Sequence, residues 1–335
     1  MEQVRLGHSQ EQMNQFNHTS VLLHETIAAL DIKPDGLYID CTTGGGGHSL
    51  EIAAKLGSGG RLICFDVDET AIQAARSKLA GYSATFHNAN FSAMADYNIA
   101  PSTAAGIVMD LGVSSHQLDT AERGFSFHED APLDMRMATS GFCSGSAGSS
   151  SDNVSAYDVV NGYSEERLIK ILFEYGEEKY ARRIVRGIAS SRQSAPIKTT
   201  GELAEIVKRN VPLSVRNAKN PCRKTFQAIR IEVNDELGSL SKGLDTGFDI
   251  LAPGGRFAVI TFHSLEDRLV KQRFAQFTSG CDCPRTLPLC VCGKTPKAIH
   301  ITRKPITPGE PELNTNRRAR SAKLRVIKKH MFVRR

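Results

Sequence analysis

A glycine-rich segment between an apolar run and a helical pattern carries the strongest chemical signal in this sequence. Residues 40–49 are DCTTGGGGHS, in which Asp40, Gly44 and Gly46 match the pattern Asp-x-x-x-Gly-x-Gly. A P-loop would need Gly-Lys-Ser/Thr after the glycines, where this chain has His48 and Ser49. The dinucleotide fingerprint G-x-G-x-x-G fails at its third glycine. The remaining pattern is typical of sheets that bind S-adenosylmethionine, because glycines let the backbone pass close to the methionine end of that cofactor.

Two acids end later apolar runs. Asp66 ends the run RLICFD, and a carboxylate there can accept hydrogen bonds from two ribose hydroxyls. NAD enzymes use the same device, so Asp66 indicates an adenosine ligand more strongly than it indicates methyl transfer. Asp110 ends the run AGIVMD, where a transferred group and its acceptor would meet. The residues after Asp110 are LGVSS rather than Pro-Pro-aromatic, which disfavours a generic DNA amino-methylase. The structural alternatives are a surface acid or helix cap for Asp66 and a turn cap for Asp110.

Alternating apolar runs and helical patterns must position these residues. The predicted strands are 37–41, 61–66, 83–87, 105–110, 256–262 and 321–328, with 278–320 rich in loops. Helical patterns at 49–56 and 69–79 separate the first strands, which predicts a doubly wound, mostly parallel sheet with helices on both faces. Ligands of such sheets bind at the carboxyl ends of the strands, which is where Asp66 and Asp110 stand.

The alternation stops in the middle of the chain. Helical patterns occupy 164–192 and 200–210, after a Gly/Ser-rich segment at 139–153, and no strand pattern occurs between about 119 and 220. We therefore expect a flexible arm at 1–16, an α/β domain built from 17–118 and 221–335, and an all-helical insertion at 119–220. A further helix is predicted over 226–251, with a break near 238–243, followed by a turn at 253–255.

Composition and charge indicate the class of protein and of partner. The chain has 335 residues, 40% of them hydrophobic and 23% charged, which is ordinary for a globular protein. Its apolar runs are too short to span a bilayer and its N-terminus lacks an apolar signal region, so we expect a cytoplasmic protein with reduced cysteines and no membrane partner. Residues 303–335 hold eleven Lys/Arg and two Glu, or +9, so the other residues carry 6 − 9 = −3. A basic end of this kind suggests a polyanionic partner, although a solvated tail is the alternative.

Four cysteines form a C-x-C-x6-C-x-C pattern, namely Cys281, Cys283, Cys290 and Cys292. Four thiolates could bind zinc, but the C-x-C spacing is tighter than the spacing usual in structural zinc sites. Reduced loop cysteines without a metal are the alternative, and no metal site is predicted.

Nine segments, in order along the chain, together carry a family resemblance, namely 18–23, 40–49, 110–115, 122–127, 132–137, 175–178, 225–231, 262–268 and 318–321. They resemble the MraW family of S-adenosylmethionine-dependent methyltransferases, which methylate the N4 amine of a cytosine in 16S ribosomal RNA. The resemblance implies a Rossmann-like class I methyltransferase fold, with 16S ribosomal RNA in the small ribosomal subunit as partner and 119–220 as its recognition domain. Two positions depart from the common family pattern, His116 and Lys224.

The resemblance also implies a set of site residues. The cofactor-binding residues would be Gly46, Gly47, His48, Asp66, Phe91, Asp110 and Gln117. An acceptor for the amino hydrogens would make the amine more nucleophilic and could take up its proton. Asp110 is the candidate catalytic residue in this role, and the Leu111 carbonyl beside it is the alternative acceptor. His263 and Glu266 could act near the substrate or serve only as a helix cap and ion pair. A non-catalytic RNA-binding assembly factor and an NAD-dependent oxidoreductase are the alternative functions.

Overall fold

A seven-stranded sheet forms the centre of the fold. The computed structural model describes residues 20–138, 154–217, 220–281, 283–284, 289 and 291–331, so the predicted arm at 1–16 and the Gly/Ser-rich segment at 139–153 lie outside the described residues. The strands are β1 (Leu37–Asp40), β2 (Arg61–Asp66), β3 (Ala84–Asn88), β4 (Ala104–Asp110), β5 (Leu251–Thr261), β6 (Ala298–His300) and β7 (Lys323–Lys329). Their order is β3-β2-β1-β4-β5-β7-β6, in which β1 to β5 are parallel and β7 is antiparallel to both of its neighbours. The predicted doubly wound, mostly parallel sheet is confirmed.

Helices connect the strands and build a separate helical region. They are α1 (Leu23–Leu30), α2 (Gly47–Ala53), α3 (Glu69–Lys78), α4 (Ser115–Asp119), α5 (Ala156–Gly162), α6 (Glu165–Glu174), α7 (Ala181–Ser194), α8 (Thr200–Asn210), α9 (Leu213–Arg216), α10 (Arg223–Asn234), α11 (Glu236–Ile250), α12 (Ser264–Thr278) and α13 (Glu310–Thr315). Short 3-10 helices cover Phe91–Tyr97, Ala121–Arg123 and Arg317–Ser321. Among the described residues, no helix combines the length and the apolar character needed to cross a membrane.

The strands form because their side chains are apolar on both faces, as expected of a sheet covered by helices on each side. Ile39, Phe65, Ile107 and Phe257 are fully buried. The strand order reverses at β1, which pairs with β2 on one side and β4 on the other. The carboxyl ends of β1, β2 and β4 therefore meet at the switch point, which is where ligands of open α/β sheets bind.

The chain divides into two compact units. The first contains the sheet, from the described residues up to Gly112 and from Leu237 onward. The second is Val113–Glu236 and has its own apolar core, which includes Leu168, Leu172, Ile184, Ile188 and Phe226. Its described secondary structure is helical apart from an isolated bridge between Pro132 and Thr199. The second unit, at Val113–Glu236, includes more residues at each end than the insertion expected at 119–220, and the first unit includes correspondingly fewer. The use of 119–220 for RNA recognition stays a prediction.

One predicted helix break at the end of the second unit was wrong. The helical pattern over 164–192 forms the two helices α6 and α7, and Glu177 between them has φ +47. The break between α10 and α11 is at Asp235, which has φ +43, and not at 238–243. Backbone geometry at Asp235 ends the helix without any glycine, which explains why the glycine-based prediction failed.

The C-terminal half of the sheet also differs from the prediction. The segment 253–255 is an irregularity inside β5, which begins at Leu251, and Gly254 has φ +81 there. The loop-rich segment 278–320 contains the edge strand β6 and the helix α13. Three residues give β6 too short a run for its period to be recognised in the sequence.

The basic C-terminal end is largely folded rather than a tail. Asp267 accepts hydrogen bonds from Lys323 at 3.1 Å and from Arg325 at 2.7 Å. Lys329 is buried, and its Nζ donates to the carbonyl oxygens of Phe248 at 2.8 Å and Leu251 at 2.7 Å. Because these three cations are bound inside the first unit, the charge that could meet a polyanion is smaller than the sequence count suggested.

Candidate functional site

The glycine-rich loop joins β1 to α2 in a conformation that requires glycine. Gly44 has φ +50 and Gly46, which precedes the first turn of α2, has φ +75. The Gly46 N–H donates to the Thr43 carbonyl oxygen at 2.8 Å and closes the turn. A Cβ on Gly47 would collide with Ser20 Oγ, whereas a Cβ on Gly44 would meet nothing within 4 Å. The loop is thus packed at Gly47 and open beside Gly44, which leaves room for a ligand to approach the backbone.

Asp66 ties this loop to the end of β2. Its Oδ2 accepts a hydrogen bond from the Gly44 N–H at 2.7 Å, and its Oδ1 accepts one from the Asp68 N–H at 2.9 Å. The two hydrogen bonds lower the pKa of Asp66, but burial raises it more, and the result is a pKa of about 6. The cap of α3 is Asp68, which accepts from the Thr70 N–H, so the helix-cap alternative does not apply to Asp66. One lone pair remains on each Asp66 oxygen, enough for two ribose hydroxyls.

Asp40 and Thr42 hold the loop and Asp110 in position. Asp40 Oδ2 accepts from Ser49 Oγ at 2.6 Å, and its Oδ1 accepts from the Thr42 N–H at 3.1 Å. Burial raises the pKa of Asp40 to about 6. Thr42 Oγ1 in turn accepts from the Asp110 N–H at 2.6 Å. Sequence reasoning missed the Thr42 contact, although Thr42 and Thr43 are the polar side chains that follow β1 in the glycine motif.

His48, which is buried, and Asp110, which is partly buried, form a polar pair beside the loop. His48 Nδ1 lies 3.6 Å from Asp110 Oδ2, and the two side chains are 5% and 22% exposed. Burial lowers the pKa of His48 to about 4, against a hydrogen bond to the Val21 backbone that raises it, so the imidazole is neutral at pH 7. Burial raises the pKa of Asp110 well above its usual range, with the charges of Asp40 and Glu266 adding to the effect.

Two atoms of this pair have no hydrogen-bond partner among the described residues, His48 Nε2 and Asp110 Oδ1. Buried polar groups are normally hydrogen-bonded, so an unpaired carboxyl oxygen and an unpaired imidazole nitrogen at the end of β4 indicate a place for a polar ligand. Together with the open side of Gly44 and the free lone pairs of Asp66, they fit a cofactor that carries both a ribose and an amino-acid part.

Phe91 lies at the start of the 3-10 helix that follows β3. The preceding segment is bonded to β2, since the Ala89 N–H donates to the Asp66 carbonyl oxygen at 2.9 Å. The Phe91 ring packs on Gly243 of α11, where a Cβ would lie 2.5 Å from the ring. Phe91 is half-buried, so part of its ring is available to flank a planar base. Its role at the cofactor stays a prediction.

Gln117 belongs to the second unit. It is buried in α4, where it forms a capping box with Ser114, and its Nε2 donates to the Met137 carbonyl oxygen at 3.4 Å. These contacts give Gln117 a structural role within its own unit. Its predicted contact with the cofactor is not tested by them.

His263 and Glu266 form the N-terminal cap of α12. The Glu266 N–H donates to His263 Nδ1 at 3.4 Å, and Glu266 Oε2 accepts from the Phe262 N–H at 2.8 Å. His263 Nε2 lies 3.1 Å from Glu266 Oε1. This arrangement supports the structural interpretation of the pair and gives no separate evidence for a role at the substrate.

Comparisons with known proteins show what this chain is similar to. A ribosomal RNA small subunit methyltransferase H from Clostridium botulinum (strain Kyoto / Type A2) is 50% identical over 321 residues, covering 94% of this chain and 99% of that protein. The protein of the same name from Brevibacillus brevis is 48% identical over 319 residues, covering 94% and 98%. The solved structure of an rRNA methylase from Streptococcus thermophilus aligns with a TM-score of 0.38 and 10% identity, covering 92% of this chain and 94% of that one.

The match to a protein family extends over almost the whole chain. The model of the MraW methylase family matches residues 15–330, which include every predicted site residue from Gly46 to Gln117. The fold is accordingly the Rossmann-like class I methyltransferase fold that the sequence predicted. The glycine loop that follows β1 is hydrogen-bonded to Asp66, and β4, which pairs with β1, ends at Asp110. The chain belongs to the MraW methylase family.

Proposed function

We propose that this methyltransferase transfers a methyl group to the exocyclic N4 amine of a cytidine in 16S ribosomal RNA. The observation that carries the proposal is the contact of Asp66 with the Gly44 backbone at 2.7 Å, in a sheet whose strand β4 ends at the partly buried Asp110. Relatives about half identical to this chain carry the name ribosomal RNA small subunit methyltransferase H, which supports the RNA substrate. The choice of the cytosine amine rests on the family resemblance.

S-adenosylmethionine is the cofactor, and it supplies a methyl group on a sulfonium cation. Asp66 would accept hydrogen bonds from the ribose hydroxyls through its two remaining lone pairs. The loop from Gly44 to Gly47 would lie along the methionine part, since Gly44 presents open space where another residue would have a side chain. His48 Nε2 is available to donate or accept a hydrogen bond in the same place. Phe91 and Gln117 are proposed as further contacts.

Asp110 is the group that we propose to act on the substrate. The cytosine amine is a weak nucleophile because its lone pair is delocalised into the ring, so it must be held at near-attack distance. Asp110 Oδ1 has no partner among the described residues and could accept a hydrogen bond from that amine. The raised pKa of Asp110 makes it a strong acceptor once ionised, and a cation bound beside it favours the ionised form. After methyl transfer, Oδ1 could take up the amine proton.

We propose that the second unit recognises the RNA. Arg182, Arg183 and Arg186 are exposed on α7, within one helical turn of each other. In the first unit, Arg317 and Arg320 are exposed on the 3-10 helix before β7. Such cations can follow a folded RNA backbone without reading its sequence. The target base would have to leave its stack, which costs least in a single-stranded or loop nucleotide. The cytoplasm, where small ribosomal subunits are assembled, is the proposed location.

Mass spectrometry of ribosomal RNA nucleosides tests the proposal. Cells that lack the protein should lose a methyl group on N4 of one cytidine in 16S RNA, and the wild-type protein should restore it. Asp110→Ala should restore it at least about a hundredfold more slowly, since general acid–base catalysis contributes that much or more. Asp96→Ala is the matched control, because Asp96 is an exposed acid of the same unit, and it should behave as the wild type.

Two results would contradict the proposal in different ways. Return of the methyl group to a ring carbon, a ribose hydroxyl or an adenine amine would overturn the N4 assignment. If no RNA modification changed at all, the protein would be better described as a non-catalytic RNA-binding assembly factor.

A further inference from the structure

Three cysteines after α12 converge at a place that the methyl-transfer site does not use. The Sγ atoms of Cys281, Cys283 and Cys292 all lie within 4.8 Å of one another. Cys281 and Cys292 are exposed and Cys283 is half-buried, so a metal ion in solution can reach all three. The sequence pattern contains a fourth cysteine, Cys290, which lies outside the described residues.

We propose that Cys281, Cys283 and Cys292 bind a zinc ion as thiolates, with a water molecule as the fourth ligand, in a site that holds the loop between α12 and β6. Each thiol releases its proton to solvent when the Zn–S bond forms, so no oxidant or reductant is required. Soft thiolate ligands select zinc over the hard cations magnesium and calcium.

The separation between the sulfurs of Cys281 and Cys292 fits tetrahedral coordination. With Zn–S bonds of about 2.3 Å, two sulfurs of a tetrahedral site lie about 3.8 Å apart. Cys281 Sγ and Cys292 Sγ are 3.8 Å apart. A disulfide would bring two sulfurs to about 2.0 Å, so this pair is not bonded. Contact between two thiols alone would also permit 3.8 Å, but it would not bring in the third sulfur. The convergence of all three sulfurs is therefore the observation that indicates a metal site.

The tight C-x-C spacing is compatible with this arrangement because the Sγ atoms of Cys281 and Cys283 lie within 4.8 Å of each other. The Cys283 N–H points back at Cys281 Sγ, with the nitrogen 3.3 Å from the sulfur. Hydrogen bonds from backbone N–H groups stabilise negative charge on a ligand atom and orient it. Ser279 Oγ donates to the Cys281 carbonyl oxygen at 2.7 Å, which holds the backbone of Cys281 in place. The spacing that argued against zinc in the sequence is accordingly accommodated by the loop geometry.

The base of the loop is closed on both sides. The Lys297 N–H donates to the Phe277 carbonyl oxygen at 2.8 Å, next to the end of α12. A Cβ on Gly280 would lie 3.2 Å from the Pro296 ring, so the two chain segments run close together there. The cysteines thus stand on a loop whose ends are already held, which reduces the entropy that metal binding must overcome.

The described loop has little apolar packing to hold it otherwise. Leu289 and Val291 are each 78% exposed, so these two apolar side chains do not pack the loop against the rest of the first unit. Within a loop whose ends are already held, a metal ion would take the place of apolar packing, as it does in small metal-stabilised segments. Lys294 and Lys297 follow the last cysteine in the sequence, and their charges suit a zinc–trithiolate centre of net charge −1.

Metal analysis of the full-length protein tests the proposal. Protein purified under reducing conditions from zinc-supplemented medium should contain about one zinc ion per chain by plasma mass spectrometry. Cys283→Ser and Cys281→Ser should each lower the zinc content by about tenfold or more. Val291→Ser is the matched control, since it changes an exposed residue of the same loop and should keep the wild-type zinc content. Cofactor binding by calorimetry shows that each variant is folded, because the cysteines are remote in sequence from the glycine loop.

Two further measurements distinguish a zinc site from reactive thiols. Cobalt substituted for zinc should give the visible absorption typical of tetrahedral thiolate coordination, and this absorption should be absent in Cys283→Ser. Chelation of the metal should speed proteolytic cleavage between Cys281 and Lys297 in the wild type but not in Cys283→Ser. The proposal is overturned if the purified protein is metal-free, if the serine variants keep the wild-type zinc content, or if peptide mapping finds Cys281 and Cys292 joined in a disulfide.

Discussion

Replacement of Asp66 by asparagine should weaken S-adenosylmethionine binding while leaving the sheet intact. In the structure, Asp66 Oδ2 accepts from the Gly44 N–H and Oδ1 accepts from the Asp68 N–H. An amide has one acceptor oxygen, so either orientation of the asparagine places its NH₂ group against one of these N–H donors. The variant should therefore lose a charged acceptor for the ribose and also loosen the glycine loop.

The size of the effect follows from the bonds that are lost. A hydrogen bond to a charged group contributes about 1.5–3 kcal/mol, so loss of one such bond to the ribose should raise the Kd by about tenfold to a hundredfold. Calorimetry with S-adenosylmethionine measures this change directly. Asp96→Asn, which alters an exposed acid of the same unit, should leave the Kd unchanged.

The pH dependence gives a second, independent readout. Burial raises the pKa of Asp66 to about 6, so the carboxylate that accepts the ribose hydroxyls is lost as the pH falls below that value. Cofactor affinity of the wild type should accordingly fall between pH 7 and pH 5, by at most about tenfold per pH unit for one proton. Asp40 titrates in the same range, and comparison with Asp66→Asn isolates the contribution of Asp66. An unchanged Kd in a folded Asp66→Asn protein, or an identical pH dependence, would refute the assignment of Asp66 to the ribose.

Three other changes test the fold and the RNA surface. Gly46→Ala should lower the free energy of unfolding by about 1–2 kcal/mol in urea titrations, because Gly46 has φ +75. Gly162→Ala is the control, since Gly162 has no positive φ and an added Cβ would meet nothing within 4 Å, and it should lower the free energy of unfolding much less. Asp267→Asn should cost about 1.5–3 kcal/mol, since it removes charged bonds to Lys323 and Arg325. Burial raises the pKa of Asp267, but the bonds to Lys323 and Arg325 lower it more, so the pKa of this carboxyl in the folded protein is below its usual value. The stabilisation from these bonds is therefore present above the usual carboxyl pKa and should be lost as the pH falls below about 4. Thermal melts at a series of pH values measure this loss. Neutralising the three exposed arginines of α7 should lower RNA affinity and leave cofactor binding unchanged. The slope of log K against log salt should decrease in magnitude by up to about 0.7–0.9 per lost phosphate contact. An unaltered slope in filter-binding titrations would show that these arginines do not contact RNA phosphates.

Local sequence patterns were sufficient to predict most strands, the glycine loop and the acids at the strand ends. Apolar runs bounded by turn residues identify buried strands locally, so the sequence alone places Asp66 and Asp110 at the carboxyl ends of β2 and β4. The glycine pattern excluded a P-loop for a local reason too, since the lysine that a P-loop needs is absent from 40–49. The family followed from motifs spread over the full chain, and its model indeed matches residues 15–330.

Boundaries that depend on the backbone conformation of single residues were less accessible. The helix break is at Asp235, a non-glycine residue with positive φ, and no sequence pattern predicted it. The edge strand β6 has only three residues, and it exists because β7 offers it hydrogen bonds. Elements of this kind are stabilised by their neighbours more than by their own propensities.

Contacts between distant residues required the folded chain. The Thr42 hydroxyl accepts a hydrogen bond from the backbone of Asp110, and His48 lies beside the same acid. The pairing of β7 between β5 and β6 likewise brings Lys323 and Arg325 to Asp267, which removes them from the basic surface counted in the sequence. The physical reason is that periodicity and turn residues act over a few positions, whereas strand order, burial and the pKa of a buried acid depend on packing between segments far apart in the chain.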